Sequence, residues 1–214
     1  MQQDTQQRDS KTRLLDATLK VVRSKGYTAT RVEDICAEAG VTKGSFFHHF
    51  KSKEDLALAA VAHWDAYTSA LFAEAPYHEV AEPLDRLLAY VEFRRAMLAG
   101  DLPEFTCFVG TIIQEAYHTH PGIVAACAGN LTGHAKTLEA DVAAAMRQYG
   151  VRGDWTAESL ALHIQAVLQG GFILAKATGS AEVAAQSLDH LRRYLELLFG
   201  APSKSEPRRK GSAR

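Results

Sequence analysis

The sequence predicts an all-α fold, and two observations support this. Apolar residues recur at spacings of three and four along almost the whole chain, and no long segment alternates as a strand does. Prolines stand at or near the start of three predicted helices, where a missing N–H costs little; they are Pro83, Pro103 and Pro121. The prediction is a three-helix head followed by a larger helical body, with about nine helices in all.

Capping and stop signals place the helices in order. Gly26 ends the first, and Thr30 with Glu33 has the spacing of a capping box for the second. Gly40 closes that helix, and Thr42 can cap the third. The predicted ranges are 10–24, 32–39, 43–49, 52–75, 83–99, 103–117, 121–149, 156–178 and 181–199.

Charge divides the chain into three parts. Residues 1–53 contain 10 basic and 6 acidic side chains, residues 54–200 contain 9 and 18, and residues 201–214 contain 5 and 1. The net charge of −1 therefore combines a basic head, an acidic body and a basic tail. The charge of the head favours an anionic partner. The tail is rich in Ser, Pro and charge, so we expect it to be disordered.

Composition excludes several classes of protein. The cysteines Cys36, Cys107 and Cys127 are too few for a disulfide scaffold and lack metal-binding spacing, which favours a reducing compartment. The N-terminal residues have no apolar core for a secretory signal, and no run approaches the roughly 18 apolar residues of a membrane span. We expect a cytoplasmic protein with no membrane partner, no metal and no cofactor.

The second and third helices form a helix-turn-helix around Gly40. Phe46 and Phe50 are four apart and can pack inward on Leu15 and Ile35, so the rest of the third helix faces outward. Hydroxyls and free N–H groups at helix starts suit phosphate oxygens. The candidate DNA-binding residues are Thr30, Thr42, Lys43, Gly44, Ser45, Phe47, His48, His49 and Lys53. The alternative is an ordinary helical hairpin with solvated lysines.

The run GVTKGSFFHHFKSKEDL, residues 40–56, resembles the helix-turn-helix signature of the TetR family of bacterial transcriptional regulators. The resemblance covers about residues 10–56. It implies a repressor that binds double-stranded DNA as a dimer and is released by an effector in its body. An activator or a non-inducible DNA-binding protein is the alternative.

One position departs from the family pattern. The family usually has a tyrosine where this chain has Phe47, and the hydroxyl of that tyrosine reaches a phosphate. Phe47 keeps only the apolar part of this side chain. We therefore expect a thymine methyl or sugar contact there, and weaker phosphate anchoring.

Specific recognition by one short helix needs a second copy about one helical turn away on a near-palindrome. The last two predicted helices carry apolar stripes that could form a four-helix interface between copies, as the equivalent pair does in the TetR family. The candidate interface residues are Leu160, Ile164, Val167, Leu168, Gly171, Leu188, Leu191, Leu195 and Leu198. The alternative is that these stripes only complete the core of one chain.

An acidic, aromatic-rich body joined to such a head resembles that of ligand-controlled repressors. The fourth helix would link the two, since it begins at Lys53 and ends near the expected pocket. The candidate pocket residues are Trp64, Tyr67, Phe93, Cys107, Phe108, Gln114, Tyr117, His134, Trp155 and Phe172. Any single one of them could instead be ordinary core.

The segment 107–115, with Gly110 inside a predicted helix, is the most distinctive part of the body. Together with Lys176 it resembles the branch of TetR-type regulators that senses reactive electrophiles and oxidants. The resemblance implies that Cys107 is a reactive thiol and that the ammonium of Lys176 favours its thiolate. The alternative is a buried, inert cysteine, which is also our interpretation of Cys36 and Cys127.

Nine histidines raise the further alternative of an enzyme. His118 and His120 are two residues apart and would diverge on a helix. The sequence contains no HExxH motif, no His/Cys tetrad and no GxSxG motif. We therefore expect no catalytic residues, and a small all-α enzyme is the least favoured interpretation.

Overall fold

The computed structural model describes residues 2–200, and the side chains from Ser10 onward. Over these residues the chain forms ten α-helices and one 3-10 helix, with no strand, which confirms the all-α fold. The tail, residues 201–214, lies outside the described residues. The α-helices are α1 (Gln2–Lys25), α2 (Val32–Ala39), α3 (Lys43–His49), α4 (Lys53–Ala73), α5 (Pro83–Ala96), α6 (Leu102–Phe105), α7 (Phe108–Ala116), α8 (Pro121–Tyr149), α9 (Ala157–Thr178) and α10 (Glu182–Leu198), and the 3-10 helix is Pro76–Glu79.

Side-chain caps fix the starts of several helices where the sequence predicted them. The Thr42 hydroxyl oxygen accepts the backbone N–H of Ser45 at 3.2 Å, and that of Ser52 accepts the N–H of Asp55 at 3.1 Å. Thr156 caps α9 in the same way. α3 has the predicted bounds, and so has α8, which begins at Pro121 without a side-chain cap.

The single helix predicted over 103–117 is wrong, because the chain forms two helices there. Thr106 and Cys107 have extended backbone angles that separate α6 from α7. Cys107 then caps α7, its sulfur accepting the backbone N–H of Gly110 at 3.3 Å. α5 is also shorter than predicted and ends at Ala96. The split accounts for a tenth helix.

The capping box predicted for α2 is placed one residue too early. The N-cap is Arg31, whose backbone N–H donates to the carboxylate of Asp34 at 2.7 Å. Thr30 turns inward instead, because its hydroxyl donates to the carbonyl of Gly26 at 2.5 Å. Only 2% of Thr30 is exposed.

Two hydrophobic cores hold the helices together. The first contains the inward faces of α1, α2 and α3 and continues into the first half of α4, α7 and the start of α8. The second lies among α5, the second half of α8, α9 and α10. The boundary expected at residue 53 therefore falls inside a continuous core, in which Leu56 and Ala60 of α4 join Phe46 of the head. Cys107 packs against both cores.

One helix of the described residues, α9, is long and apolar enough to cross a membrane by length and composition alone. Core helices of soluble proteins pass the same test. In this fold α9 packs against both α8 and α10.

Candidate DNA interface and ligand cavity

α3 packs one face against the core of the head and exposes the other. Phe46 and Phe50 are 0% and 3% exposed and join the core that contains Leu15 and Ile35, as predicted. Phe47, one residue from Phe46, is 59% exposed. The other residues of the outward face are Thr42, Lys43, Gly44 and His48, all exposed, and Ser45, which is half-buried. The predicted outward face is thus present as a surface.

The turn between α2 and α3 is fixed by backbone contacts. Gly40 adopts the left-handed conformation, with φ of 62°, and its N–H donates to the carbonyl of Ala37. The N–H of Val41 donates to the carbonyl of Cys36 at 2.9 Å. Arg13 of α1 donates to the carbonyl of Gly40 at 3.1 Å. These contacts set the angle at which α3 leaves the head.

Three lysines of the head surface are paired with carboxylates of α2. Lys43, on the outward face of α3, forms an ion pair with Glu33. Lys20 and Lys25 of α1 pair with Glu38 at 2.6 Å and with Asp34 at 2.5 Å. The paired side chains are largely exposed, so each pair is weak and can open when a phosphate competes.

Thr30 and Lys53 hold the head together in this structure. Thr30 is buried and its hydroxyl is used by Gly26, so it cannot reach a phosphate, and its assignment as a DNA contact is corrected. The ammonium of Lys53 donates to the carbonyls of Tyr27 at 3.1 Å and Thr30 at 3.0 Å. It also lies 4.4 Å from the centre of the Tyr27 ring. Burial lowers the pKa of Lys53.

His49 is also only partly available on α3. Its ring nitrogen lies 2.8 Å from the hydroxyl of Ser10, which ties the end of α3 to α1. Burial first, and then the neighbouring His48, lower the pKa of His49. His49 is therefore protonated less often at neutral pH than an ordinary histidine.

A cavity of about 300 Å³ lies where the two cores meet. Its walls come from α1, α4, α5, α6, α8 and α9 and from Cys107 between α6 and α7. Half of the predicted pocket residues line it: Trp64, Tyr67, Cys107, His134 and Phe172. A second pocket of about 220 Å³ shares Cys107 and Phe172 with the first and is also lined by the predicted Gln114.

Four predicted pocket residues are elsewhere, and these assignments are corrected. Phe108 is fully buried in the first core. The ring of Phe93 meets that of Phe72 edge-on and packs at a tilt against that of Tyr77, outside the cavity lining. Tyr117 is 71% exposed at the end of α7, and Trp155 packs on Phe199 at the far end of the body. The aromatic residue type predicts that such a side chain is buried. It does not predict whether the side chain faces the cavity or another part of the core.

Several cavity residues are absent from the sequence prediction, and two of them are arginines. Arg23 of α1 stacks on Trp64, with 5.3 Å from its guanidinium carbon to the ring centre. Arg94 of α5 stacks on Phe72 at 5.0 Å. In the sequence, these two arginines contribute only to the net charge of residues 1–53 and 54–200. No local pattern distinguishes them, because each lies on a mixed helix whose inward side depends on the packing of other helices.

Cys107 and Lys176 line the same second pocket, as the redox hypothesis requires. The sulfur of Cys107 accepts the N–H of Gly110 at the start of α7. Lys176 donates to the hydroxyl of Thr111 at 2.9 Å. Burial lowers the pKa of Lys176. Cys36 and Cys127 are buried, and burial raises the pKa of Cys127 to about 12.

Most of the predicted dimer interface is internal to this chain. The buried residues of the set are Leu160, Ile164, Leu168, Gly171, Leu188, Leu191 and Leu195, while Val167 and Leu198 are half-buried against the same core. Gly171 allows α9 to approach α10 of its own chain, since a Cβ there would meet Ala184 at 3.5 Å. The alternative interpretation of these stripes, as the core of one chain, therefore describes them better.

Two family models match the chain. The model described as "Bacterial regulatory proteins, tetR family" matches residues 14–60, and the one described as "Tetracyclin repressor-like, C-terminal domain" matches residues 83–191. The chain belongs to the TetR family. This is a family of bacterial regulatory proteins, and the curated relatives that match the chain are named as transcriptional regulators.

One curated relative is also named as a transcriptional regulator. The transcriptional regulator AcuR of Cereibacter sphaeroides is 33% identical over 102 residues, which are 48% of this chain and 47% of AcuR. The match thus spans about half the length of that relative.

Two solved structures share the fold. A TetR-family regulator from Agrobacterium tumefaciens is 21% identical, with a TM-score of 0.78 over 88% of this chain and 98% of that one. The reduced form of NemR from E. coli is 20% identical, with a TM-score of 0.75 over 91% and 99%. At these identities the likeness concerns the TetR fold alone.

Proposed function

We propose that the chain is a repressor that binds a palindromic operator as a homodimer and leaves it when an effector occupies the body. The observation that carries this proposal is the position of the cavity. Its walls include Arg23 of α1 and Trp64 and Phe72 of α4, and these are the two helices that support the head. A ligand there bears directly on the elements that orient α3.

α4 provides the connection between ligand and DNA. It begins at Lys53, which is bonded to the head loop between α1 and α2, and its last turns carry Phe72 into the cavity wall. A ligand that binds better to one tilt of α4 shifts the population toward that tilt. In a dimer this changes the distance between the two copies of α3, which must match half-sites about 34 Å apart.

The dimer face that we propose is the exposed side of the last two helices. α9 presents Leu162, Ile173 and Leu174, which are 42%, 47% and 49% exposed. α10 presents Tyr194 and Leu197, and Leu197 is 80% exposed. Such exposed apolar side chains on adjacent helices suit an isologous four-helix contact. The pair of helices is the one predicted from the sequence, but the residues are those on its opposite side.

DNA selection from a pool of random duplexes tests the core of this proposal. We expect enrichment of a near-palindrome, footprinted as two half-sites about one helical turn apart. Ser45→Ala should change the preferred bases, whereas Lys43→Ala should weaken all duplexes and reduce the salt slope. Enrichment of no sequence, or affinity independent of salt, would contradict the proposal.

Regulation by activation, or the absence of an inducer, is the alternative within the same family. The DNA-binding experiment alone does not separate these cases. A reporter gene placed behind the selected operator does, because a repressor lowers its expression and an activator raises it. We expect lower expression with the protein present.

Cys107 supports a second way to trigger release. Addition of its thiolate to an unsaturated carbonyl forms an S–C bond at the electron-poor carbon, and a proton from water completes the adduct. The resulting thioether is a weaker acceptor than a thiolate and carries a bulky substituent, so the cap on the N–H of Gly110 is weakened. At the other end of α7, the carboxylate of Glu115 accepts the N–H of Thr28 in the head loop at 2.8 Å. Weakening of the cap would therefore be transmitted to the head.

Labelling with N-ethylmaleimide tests this second trigger. Cys107 should react first, since Cys36 and Cys127 are buried and serve as internal controls. Labelling should release the selected duplex from the wild-type chain and leave the Cys107→Ser variant bound. If Cys107 stays unlabelled in the native protein, the thiol is inert and only the ligand route is left.

A further inference from the structure

Arg94 holds a positive charge in the wall of the cavity without an acidic partner. It is half-buried, and within the described residues no carboxylate lies within ion-pair distance of its guanidinium. Its contacts are with neutral groups: the Tyr90 hydroxyl at 3.3 Å, the His134 ring nitrogen at 3.4 Å and the face of Phe72 at 5.0 Å. A half-buried charge without a counter-ion is costly, so the site gains when an anion joins it.

The polar contacts of Arg94 use only one of its nitrogens. Both the Tyr90 and the His134 contacts are made by Nη1. Among the described residues, Nε and Nη2 of Arg94 have no hydrogen-bond partner, so one full edge of the guanidinium fork is free. That edge matches the two oxygens of a carboxylate in a bidentate pair.

The hydrogen bonds around Arg94 keep its neighbours neutral. Gln165 donates to the Tyr90 oxygen at 3.0 Å and Arg94 donates to it at 3.3 Å, so the Tyr90 hydroxyl proton is left to donate to His134 Nε2 at 2.9 Å. This requires His134 to carry its single proton on Nδ1. Burial, and next the charge of Arg94, lower the pKa of His134 to about 3. The cluster therefore contains one permanent positive charge.

The acidic residues of the cavity already have other partners. Asp16 lies 2.7 Å from the ring nitrogen of His63. Glu104 accepts the N–H of Asp101 at 2.8 Å, at the start of α6, and lies on the side of Arg23. The Arg23 end of the cavity is thus of mixed charge, whereas the Arg94 end has only positive charge. An acidic group is expected to bind at the Arg94 end.

The rest of the lining suits an apolar ligand body. Aromatic and aliphatic side chains cover the walls between the two arginines; they are Trp64, Leu71, Phe72, Met97, Phe105, Leu131 and Phe172. A volume of about 300 Å³ is at the small end of ligand cavities. It has room for a small organic molecule and not for a long chain with a bulky polar carrier.

We propose that the effector is a small organic acid whose carboxylate pairs with the free edge of Arg94 and whose apolar body lies against Trp64 and Phe72. This inference rests on the proposed function, because it names the ligand class of the cavity that controls the head. It also extends that function, since acid recognition depends on Arg94 alone and not on the DNA-binding surface.

Calorimetric titration of the full chain without DNA tests this inference directly. The probes are 3-phenylpropionate, its neutral analogue 3-phenylpropanamide and the cation 3-phenylpropylammonium, together with straight-chain carboxylates from butanoate to decanoate. We expect the acid to bind about 10- to 100-fold more tightly than the amide, as a charge-assisted bidentate pair implies, and the cation to bind least.

Variants locate the effect at one arginine. Arg94→Gln should reduce the affinity for the acid to about that for the amide and leave the amide unchanged. Arg95→Gln is the matched control, because the neighbouring Arg95 is exposed, pairs with Asp189 at 2.9 Å and is not part of the cavity lining. It should bind the acid as the wild type does.

Three results would overturn the inference. They are equal affinity for acid and amide in the wild type, tightest binding of the cation, and no heat from any of these acids up to about 10 mM, a concentration that detects even weak ligands. The comparison of acid with amide needs no variant, so it holds even if Arg94→Gln unfolds. None of these results bears on operator selection, so failure here is distinct from failure of the proposed function.

Discussion

The exposed head surface and the cavity of this protein differ in how their positive charges are paired. On the head surface Lys20, Lys25 and Lys43 are each paired with a carboxylate of α2. In the cavity Arg23 and Arg94 lie on aromatic rings, and no carboxylate of the described residues is within ion-pair distance. Exposed ion pairs contribute little free energy, so a DNA phosphate can replace the carboxylate partner of each lysine. A half-buried unpaired arginine instead favours one anion placed against it.

Under the two proposals above, this contrast lets one chain bind two kinds of anion at separate places. DNA offers a line of phosphates to a broad, hydrated surface whose ion pairs open one at a time. The cavity offers one guanidinium edge and an apolar wall, which a phosphate chain cannot enter. Substitutions in the head and in the body test this difference, and their expected effects decrease in the order given.

The two adjacent phenylalanines of α3 should differ most. Phe46 is 0% exposed, so Phe46→Ala removes a packed ring and should lower the free energy of unfolding by about 3–5 kcal/mol. Phe47 is 59% exposed, so Phe47→Ala should change it by less than about 0.5 kcal/mol while weakening operator binding. Urea unfolding and duplex titration measure the two effects. Normal operator binding by Phe47→Ala would exclude this residue from the DNA interface.

His134 should make the body sensitive to acid. Its folded pKa of about 3 lies below the ordinary value of 6.5, so the unfolded chain binds the extra proton between these pH values. The free energy of unfolding should therefore fall by about 2 kcal/mol from pH 7 to pH 5 through this one group. His134→Gln should remove that part of the slope in urea unfolding. An unchanged slope would mean that His134 is not held neutral by its surroundings.

The exposed side of α10 should control assembly. Leu197 is 80% exposed in one chain, so Leu197→Asp should leave the fold intact but place a charge in the proposed interface. We expect the dimer dissociation constant to rise by about 10-fold or more in analytical ultracentrifugation. Tyr117→Asp, at another highly exposed site outside this face, is the control and should remain dimeric. A dimeric Leu197→Asp would move the interface elsewhere.

The smallest effect is expected at the ion pairs of the head. Glu33→Gln frees Lys43 and removes a negative charge close to the proposed DNA surface. Affinity for the selected duplex should rise by about two- to five-fold at low salt, and the gain should shrink as salt increases. A decrease in affinity would show that Glu33 positions Lys43 and does not merely compete for it.

The sequence was sufficient for the fold of the helix-turn-helix because the residues that shape it are contiguous. Thr42 caps α3, Phe46 and Phe50 anchor it, and Gly40 makes the turn, all within eleven residues of one another. Thr30 was misplaced on the surface, while Lys53 and His49 are half-buried and bonded within the head. The inward turn of Thr30 depends on a hydrogen bond to Gly26, and a capping pattern does not reveal which of two neighbouring residues begins the helix.

The cavity and the dimer face could be predicted only in part. The role of Arg94 could not be predicted, because it depends on the lack of an ion-pair partner. Whether a described helix packed nearby supplies a carboxylate is not visible in the local sequence. The stripe through Leu188 and Leu191 correctly indicated a buried helix face, but periodicity does not tell whether the same chain or a second copy buries it. Leu197, outside that stripe, is exposed in one chain, and only the assembled fold distinguishes the two cases.

The most direct test of the account joins the two regions in one titration. The affinity for the selected duplex is measured by fluorescence anisotropy with and without a carboxylate that calorimetry shows to be bound. We predict that the acid weakens duplex binding about 10-fold or more in the wild type and in Arg95→Gln, and has no effect in Arg94→Gln. An acid that occupies the cavity of the wild type and leaves its affinity for DNA unchanged would contradict the account.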